Sequence, residues 1–551
     1  MALNSTGVFV ITILIQLLGY IPTHFFAQHV GSAVGANGSY PGQAVLGTFQ
    51  LFLLIASSIN MVGDLRIGTA FVFFVARGEK PEVGTGTYLV LRFVMVAIAG
   101  GAVLAVAAPA GWTTWQDLGI FGLWMLLPVL WSISTVYSQL LAAQSRSTAG
   151  QVPTLVESVV RVAALTLVAV GSLTLPVTQF SSLLLPITLC YLVGAGASAL
   201  YSFPAVWRHT RRFRGDVAAR LFRFAWPLMG SLLLLYFATT LIQFIVVADY
   251  GTGSYNVFLA SNGFRILALS IPAAVAVPLF PHLTGLHRRR DYEVLRHRTW
   301  AALRYTAMVA IPTAMTLVIY RVNFLNTLYA GTYTPAATCL ALLAISAVPA
   351  SLSQIIGTAL NSVGRQRLEL YLTSVQFTVL LAACGLLMRP VGFGGLNGYN
   401  AAGSAVLLSA IAALAVNTYF MERLLGVRIQ IRSVATLTFS AIVSFLVVAQ
   451  FNEHIPVARY YQLFAGVVLG FTVYAFMLAG FGELSKKDVE LIVGALGLPR
   501  SVSAALSRLC WREESWPVNP LPEGKGTALR PLEIDRDPSE GPDGETSPPR
   551  D

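Results

Sequence analysis

Charge is what this chain has least of. Asp, Glu, Lys and Arg make up 11% of its 551 residues, less than half the ~25% of an ordinary soluble domain, while 55% are hydrophobic. So few charges cannot solvate the surface of a globule this large, which excludes a soluble enzyme or binding domain and implies a polytopic membrane protein. Cysteine is also scarce: Cys190, Cys339, Cys384 and Cys510 are scattered, and no CxxC or Cys/His spacing joins them. That excludes a disulfide framework and gives no reason to expect a metal or other cofactor. The seven histidines are dispersed, and only His24 falls well inside an apolar run, where a packed or interfacial role suits it better than proton carriage. Long hydrophilic loops between apolar runs are missing too, so there is no outer domain on which a membrane-embedded glycosyltransferase would carry its acidic catalytic residues; no enzymatic activity is expected.

What the chain has in abundance is apolar runs of about 20 residues, the length that crosses ~30 Å of hydrocarbon as a helix. About fourteen can be read, near 6–27, 43–62, 85–108, 118–142, 151–171, 182–203, 225–247, 255–284, 300–321, 335–362, 366–388, 401–422, 433–451 and 459–481. The first lacks a basic leader and is too long for a signal core, so it is expected to stay as the first helix. Of the 36 lysines and arginines, all but Arg92, Arg161, Arg265, Arg304, Arg321, Arg389 and Arg459 fall in alternate loops and the tail. Basic residues collect on the cytoplasmic side, so both termini are expected there. The same asymmetry accounts for most of the +11 net charge and leaves no reason to expect nucleic-acid binding.

The chain also repeats itself. "LRFVMVAI" from Leu91 returns as "LRYTAMVAI" from Leu303, and "SQLLAAQSRSTAG" from Ser138 returns as "SQIIGTALNSVGR" from Ser353, shifts of 212 and 215. A shift of six spans keeps orientation, so an all-α protein of two six-helix lobes is expected, related by a pseudo-two-fold axis along the membrane normal. The lobes would be residues 1–203 and 225–422, joined by a basic cytoplasmic linker at 204–224; spans 13 and 14, residues 423–481, would lie outside the symmetry and form a groove for a lipid tail. Residues 482–511 combine helically spaced apolar residues with basic ones and read as a membrane-surface segment. Residues 512–551, rich in Pro, Gly and acids, have the composition of a disordered tail.

A cleft between parallel lobes suits alternating access, and polar residues on helix faces are candidates to line it: Gln16, Tyr20 and His24 on span 1; Tyr236, Thr240 and Gln243 on span 7; Ser261, Asn262 and Arg265 on span 8. The uncharged ones also suit ordinary interhelical hydrogen bonds. Arg265 is harder to account for, because it lies ten residues or ~15 Å from the outer end of its span, too deep to snorkel easily. Glu157 and Arg161, one turn apart, read either as a structural ion pair or as a cleft pair facing Arg265. Arg92 and Arg304 occupy matching repeat positions near cytoplasmic ends, where reaching the interface is the first reading and substrate contact the second. Asp64 and Arg66 read as anchors of a cytoplasmic loop.

The stretch "GSYNVFLASNGFRILALSIPAAVAVPLFPHLTGLHRRRD", Gly253 to Asp291, resembles the span 7 to 9 signature of the polysaccharide transport family of oligosaccharide flippases, within the multidrug/oligosaccharidyl-lipid/polysaccharide exporter superfamily. The points of likeness are Gly253, Tyr255, Phe280 and Pro281. The resemblance implies a flippase in a prokaryotic plasma membrane that carries a lipid-linked oligosaccharide, on a polyprenyl or dolichyl phosphate or diphosphate, to the outer leaflet. Membrane lipids and glycan-assembly enzymes are the partners it implies, with the flippase itself a monomer. Arginine suits a phosphate, offering a forked and permanently charged donor. Related peptidoglycan-precursor flippases carry arginines in the first span; here the first span has none. The alternative is a drug or cation antiporter of the same superfamily, which would need a free carboxylate in the cleft; Glu157, and Asp249 at a span end, are the candidates.

Overall fold

A computed structural model describes residues 41–107, 115–172, 182–210, 213–329, 334–388, 398–452 and 459–486, with four isolated positions between 8 and 15. The expected first span, with Gln16, Tyr20 and His24, and the expected surface segment and tail lie outside the described residues. Within them the protein is all-helical and polytopic, with 13 helices long and apolar enough to cross a membrane.

The first helices are α1 (Pro41–Asp64), α2 (Ile67–Ala76), α3 (Pro81–Ala107), α4 (Trp115–Ala143), α5 (Val152–Ser172) and α6 (Leu184–Arg208). Then come α7 (Gly215–Arg288), α8 (Tyr292–Ile319), α9 (Arg321–Tyr329), α10 (Ala337–Ser362), α11 (Gln366–Leu387), α12 (Gly398–Leu425), α13 (Ile431–Asn452) and α14 (Arg459–Gly480). Although α7 is helical throughout, it folds back on itself. Phe224 and Phe280 both stack near Phe73, whereas a straight helix would hold them about 80 Å apart. Its arms, Gly215–Gln243 and Val257–Arg288, are the seventh and eighth spans of the sequence. At the next turn Asp291 caps α8 by accepting from the Val294 amide, the usual role of a short acid at that position.

Proline recurs inside these helices, at Pro128, Pro204, Pro312 and Pro349 among others. Hydroxyls bond into the ladder nearby: Ser132 donates to the Pro128 carbonyl and Thr316 to that of Pro312, both at 2.7 Å. In a bilayer no water is present to solvate backbone groups, so such internal partners matter.

Packing divides the helices into two groups. In the first, α4 packs on α1, α3 and α6, and α5 on α6; in the second, α10 packs on α7, α8 and α12, and α11 on α7 and α12. The last pair, α13 and α14, pack on each other, with α13 against α8 and α14 against α9. The seam between the groups is held by α2, which the sequence reading left inside a loop. After α1 the backbone turns left-handed at Leu65 and Arg66, with φ of 38° and 63°, and "IGTAFVFFVA" follows as a short helix. Apolar on every side, this helix has no face to give to water, so it is buried between α4 and α7. Phe71, Val72 and Phe73 share one core with Val136 and Leu140 of α4 and with Leu221, Phe224, Leu228 and Phe280 of α7. Salt bridges run beside it from Arg220 to Glu79 at 2.7 Å and from Arg66 to Glu369 at 3.9 Å.

Candidate substrate site

Arg265 lies on the second arm of α7. Its Nε donates to Ser346 Oγ of α10 at 3.0 Å, and Ser346 donates onward to the Leu343 carbonyl. Among the described residues no carboxylate pairs with it, and its two terminal nitrogens donate to no described group. Among the described residues the guanidinium is therefore held at one edge, through Nε. One turn earlier, Ser261 Oγ donates to the Ala336 carbonyl at 3.3 Å, tying the arm to the start of α10. Asn262 and Gln243 are half-buried, and neither is drawn into the Arg265 contact. Tyr236 is exposed and shares a hydrogen bond of 2.9 Å with Ser58 of α1, a polar link between the two helix groups.

Glu157 and Arg161 form an ion pair of 2.9 Å. Trp131 Nε1 also donates to Glu157, at 3.0 Å, and the Arg161 guanidinium lies over the Tyr191 ring, 4.9 Å from its centroid. The pair is thus closed within α4, α5 and α6. A Cβ on Gly194 of α6 would come within 3.0 Å of both the Arg161 Cβ and the Glu157 carbonyl, so the helices meet there with no room for a side chain. Glu157 is not brought to Arg265.

Arg92 departs from expectation. Rather than reaching the membrane surface it is 1% exposed, and it presents no surface to a substrate in this conformation. Its Nη1 donates to Asp64 Oδ1 at 2.9 Å, and its Nη2 to Asn60 Oδ1 and, at 3.2 Å, to Thr135 Oγ1. The Tyr88 hydroxyl donates to the same Asp64 oxygen at 2.5 Å. The reason lies in α1: Asn60 and Asp64 are i, i+4 and offer two acceptors on one face, so a buried guanidinium finds its partners without leaving the membrane interior. Asp64, read as a loop anchor, is the counter-ion. Arg304 is likewise buried, 6% exposed, and donates to the Glu483 carbonyl just beyond α14. The Glu483 carboxylate accepts from Ser433 of α13 at 2.9 Å.

The Asp64 cluster leaves no room at Gly68 of α2. A Cβ there would stand 2.6 Å from the Tyr88 hydroxyl, 2.9 Å from Asp64 Oδ1 and 3.2 Å from the Gln139 Cγ. Gly68→Ala is therefore expected to destabilise the purified protein by about 1–3 kcal/mol, the usual cost of overpacking. A melting temperature equal to the parent's would show that the cluster has slack.

Sequence reasoning missed Ser346, Asn60, Tyr88, Trp131 and Ser58. The one available signal was the Asn60–Asp64 spacing; the others are single polar residues in apolar helices, whose partners come from distant spans.

Residues 120–338 match the sequence pattern of a family described as polysaccharide biosynthesis protein. This part of the chain, about two fifths of its length, is thus similar in sequence to that family. No protein of curated function matches the chain by sequence. Among solved structures, the chain is similar to the lipid II flippase MurJ in an inward closed conformation, at 12% identity and TM-score 0.61, over 86% of this chain and 98% of that one. It is similar to a MOP superfamily transporter from Pyrococcus furiosus, at 12% identity and TM-score 0.62, over 77% and 95%. A third likeness is to a mutant of the Vibrio cholerae MATE transporter VcmN, at 14% identity and TM-score 0.61, over 76% and 96%. The protein has the all-helical fold of flippases and transporters and is a multi-pass membrane protein. The polysaccharide biosynthesis match spans the Glu157–Arg161 pair, the linker, both arms of α7 and Arg265.

Proposed function

We propose that the protein is a flippase that moves a lipid-linked oligosaccharide, borne on a polyprenyl or dolichyl phosphate or diphosphate, from the cytoplasmic to the outer leaflet of a prokaryotic plasma membrane. Residues 1–203 and 225–422 act as two lobes that rock about a central cleft, with both termini cytoplasmic. Arg265 carries the reading: a guanidinium at membrane depth, steadied by Ser346 and lacking a carboxylate partner among the described residues, suits phosphate oxygens. A lone charge in that position costs several kcal/mol unless water or an anion attends it, and a bidentate arginine–phosphate contact is among the stronger charged hydrogen-bond pairs. Asn262, Gln243 and Tyr236 are the neighbouring polar groups for the head group, and span 1 would add Gln16 and Tyr20. The polysaccharide biosynthesis match over residues 120–338 supports a glycan as cargo, and glycan-assembly enzymes are the natural suppliers.

A drug or cation antiporter of the same fold is the second reading, favoured by the likeness to MATE transporters. It needs a carboxylate able to take a proton or cation. Glu157 and Asp64 each lie 2.9 Å from an arginine, so the positive charge such a site would bind is already supplied there from within; the side chain of Asp249, the other candidate, lies outside the described residues. Cells lacking the protein are expected to accumulate a lipid-linked sugar on the cytoplasmic leaflet, detectable by lipid extraction and mass spectrometry. Unchanged lipid-linked sugars together with lowered drug tolerance would favour the antiporter instead.

A further inference from the structure

The connection from α6 to α7, which joins the two helix groups, has an inner and an outer face. From Gly215 on, α7 turns Val217, Leu221, Phe224 and Leu228 inward, in one core with Phe71 and Phe73 of α2. The opposite side, Ala219, Phe222, Arg223 and Trp226 at i, i+3, i+4 and i+7, is exposed. The first arm of α7 has 29 residues, about 43 Å at helical rise, against ~30 Å of hydrocarbon. After Arg223 no charged residue follows until Asp249, so the surplus length falls at the start, and the turns bearing Arg220 and Arg223 stand at head-group depth. The end of α6 is built alike. Leu200, Phe203 and Trp207 are exposed along one side, the last two stack with centroids 5.6 Å apart, and the exposed Arg208 follows. Trp207 and Trp226 are each 66% exposed, and tryptophans so placed at the end of a span sit at the level of lipid head groups. Between the helices the chain is pinned to α3, where the Arg214 amide donates to Thr87 Oγ1 at 3.2 Å.

The arginines here differ in what they meet. Arg214 pairs with Asp216 at 2.8 Å and Arg220 with Glu79 at 2.7 Å. Arg208, next to Trp207, and Arg223, one turn before Trp226, make no ion pair among the described residues. We propose that Arg208 and Arg223 bind the head groups of anionic phospholipids in the leaflet that surrounds the arginine-rich helix ends, with Trp207 and Trp226 setting their depth. Each guanidinium at this level favours anionic lipid about fivefold, because the head group carries the opposite net charge and its phosphate oxygens accept from the fork. A zwitterionic lipid presents the same phosphate beside its own cation and gains less. Such a surface serves whatever cargo the protein carries. Its consequence for the fold comes from the inner face of the same turns. Leu221 and Phe224 lie on either side of Arg223 in the chain, and both belong to the core that holds the seam around α2, so lipid that fixes Arg223 from outside steadies that core.

The test uses the full chain in nanodiscs of phosphatidylcholine with and without phosphatidylglycerol, reading retained lipid by native mass spectrometry and stability by thermal unfolding. Phosphatidylglycerol is expected to be retained in preference to phosphatidylcholine and to raise the melting temperature. Arg208→Gln and Arg223→Gln should each cut that preference about fivefold, and the double variant should lose the rise in melting temperature. In phosphatidylcholine alone all three should melt with the parent, since neither side chain has an ion pair to lose among the described residues. Arg432→Gln, at an exposed arginine near the start of α13, controls for surface charge in general and should leave the preference unchanged. Equal retention of the two lipids, or a preference that persists in the double variant, would overturn the proposal. An equal loss in Arg432→Gln would also overturn it, because the effect would then belong to net charge and not to this surface. A preference with no rise in melting temperature would overturn the steadying of the seam.

Discussion

Arg265→Ala is expected to lower glycolipid translocation about 100-fold or more while leaving the amount of folded protein in the membrane unchanged. The size follows from losing two charged hydrogen bonds to phosphate, each about 1.5–3 kcal/mol. The intact fold follows from the site: among the described residues Ser346 alone holds the side chain, and a serine hydroxyl released from one partner still donates to the Leu343 carbonyl. Arg265→Lys should rescue transport in small part, since it keeps the charge but loses the fork. Glu157→Gln should not restore transport to the alanine variant, because Glu157 is engaged with Arg161 and Trp131 rather than with Arg265. Translocation measured in proteoliposomes, beside membrane protein level, decides the matter: full transport by Arg265→Ala would remove the phosphate role.

The second large effect is expected at Arg92, and it is of the opposite kind. Arg92→Gln should lose most of the folded protein, with a destabilisation of about 3–5 kcal/mol, because it strips a counter-ion from a carboxylate held inside the bundle. Asp64→Asn alone should be comparably harmful, since it leaves a guanidinium that is 1% exposed without its partner. The pair Arg92→Gln with Asp64→Asn is expected to recover most of the loss, as amides can still exchange hydrogen bonds with Asn60, Thr135 and Tyr88. Protein level and melting temperature of the three variants form a double-mutant cycle. A cycle with no coupling would mean that the 2.9 Å contact contributes nothing, and a stable Arg92→Gln that fails only in transport would return Arg92 to the list of substrate ligands.

The two arginines differ in what stands opposite them, and the sequence carries that difference only in part. Both read as single cations in apolar helices. Asn60 and Asp64, four residues apart, are visible as a polar face on one helix, but nothing in the chain says that this face meets Arg92 28 positions on. Glu157 and Arg161 were legible as a pair because both members lie on one turn of one helix, where geometry is local. Whether Arg265 would find a carboxylate depended on which helix came to lie beside it, and the neighbour is a serine of α10, 81 positions away.

By itself the sequence determined the class, the spans and their turns. Apolar runs of bilayer length must become helices, because hydrocarbon offers backbone groups no other partner, and α10, α11, α13 and α14 fall where hydropathy puts them to within a few residues. The first arm of α7 and α8 begin well before their apolar runs, at Gly215 and Tyr292, because a helix continues through polar residues that hydropathy does not count. It also singled out every intramembrane arginine, since a charge at that depth is conspicuous against an apolar background. The tertiary structure alone decided which groups those arginines meet. It buried Arg92 and Arg304 against acceptors from other helices, closed Glu157 off with Arg161, set Arg265 Nε on Ser346 with no carboxylate beside it among the described residues, and drove α2 into the seam as a buried helix. In a membrane the hydrophobic pattern records depth and says little about which helix faces which, because lipid and a neighbouring helix are equally apolar surroundings; partner choice is made by packing, and packing belongs to the assembled fold.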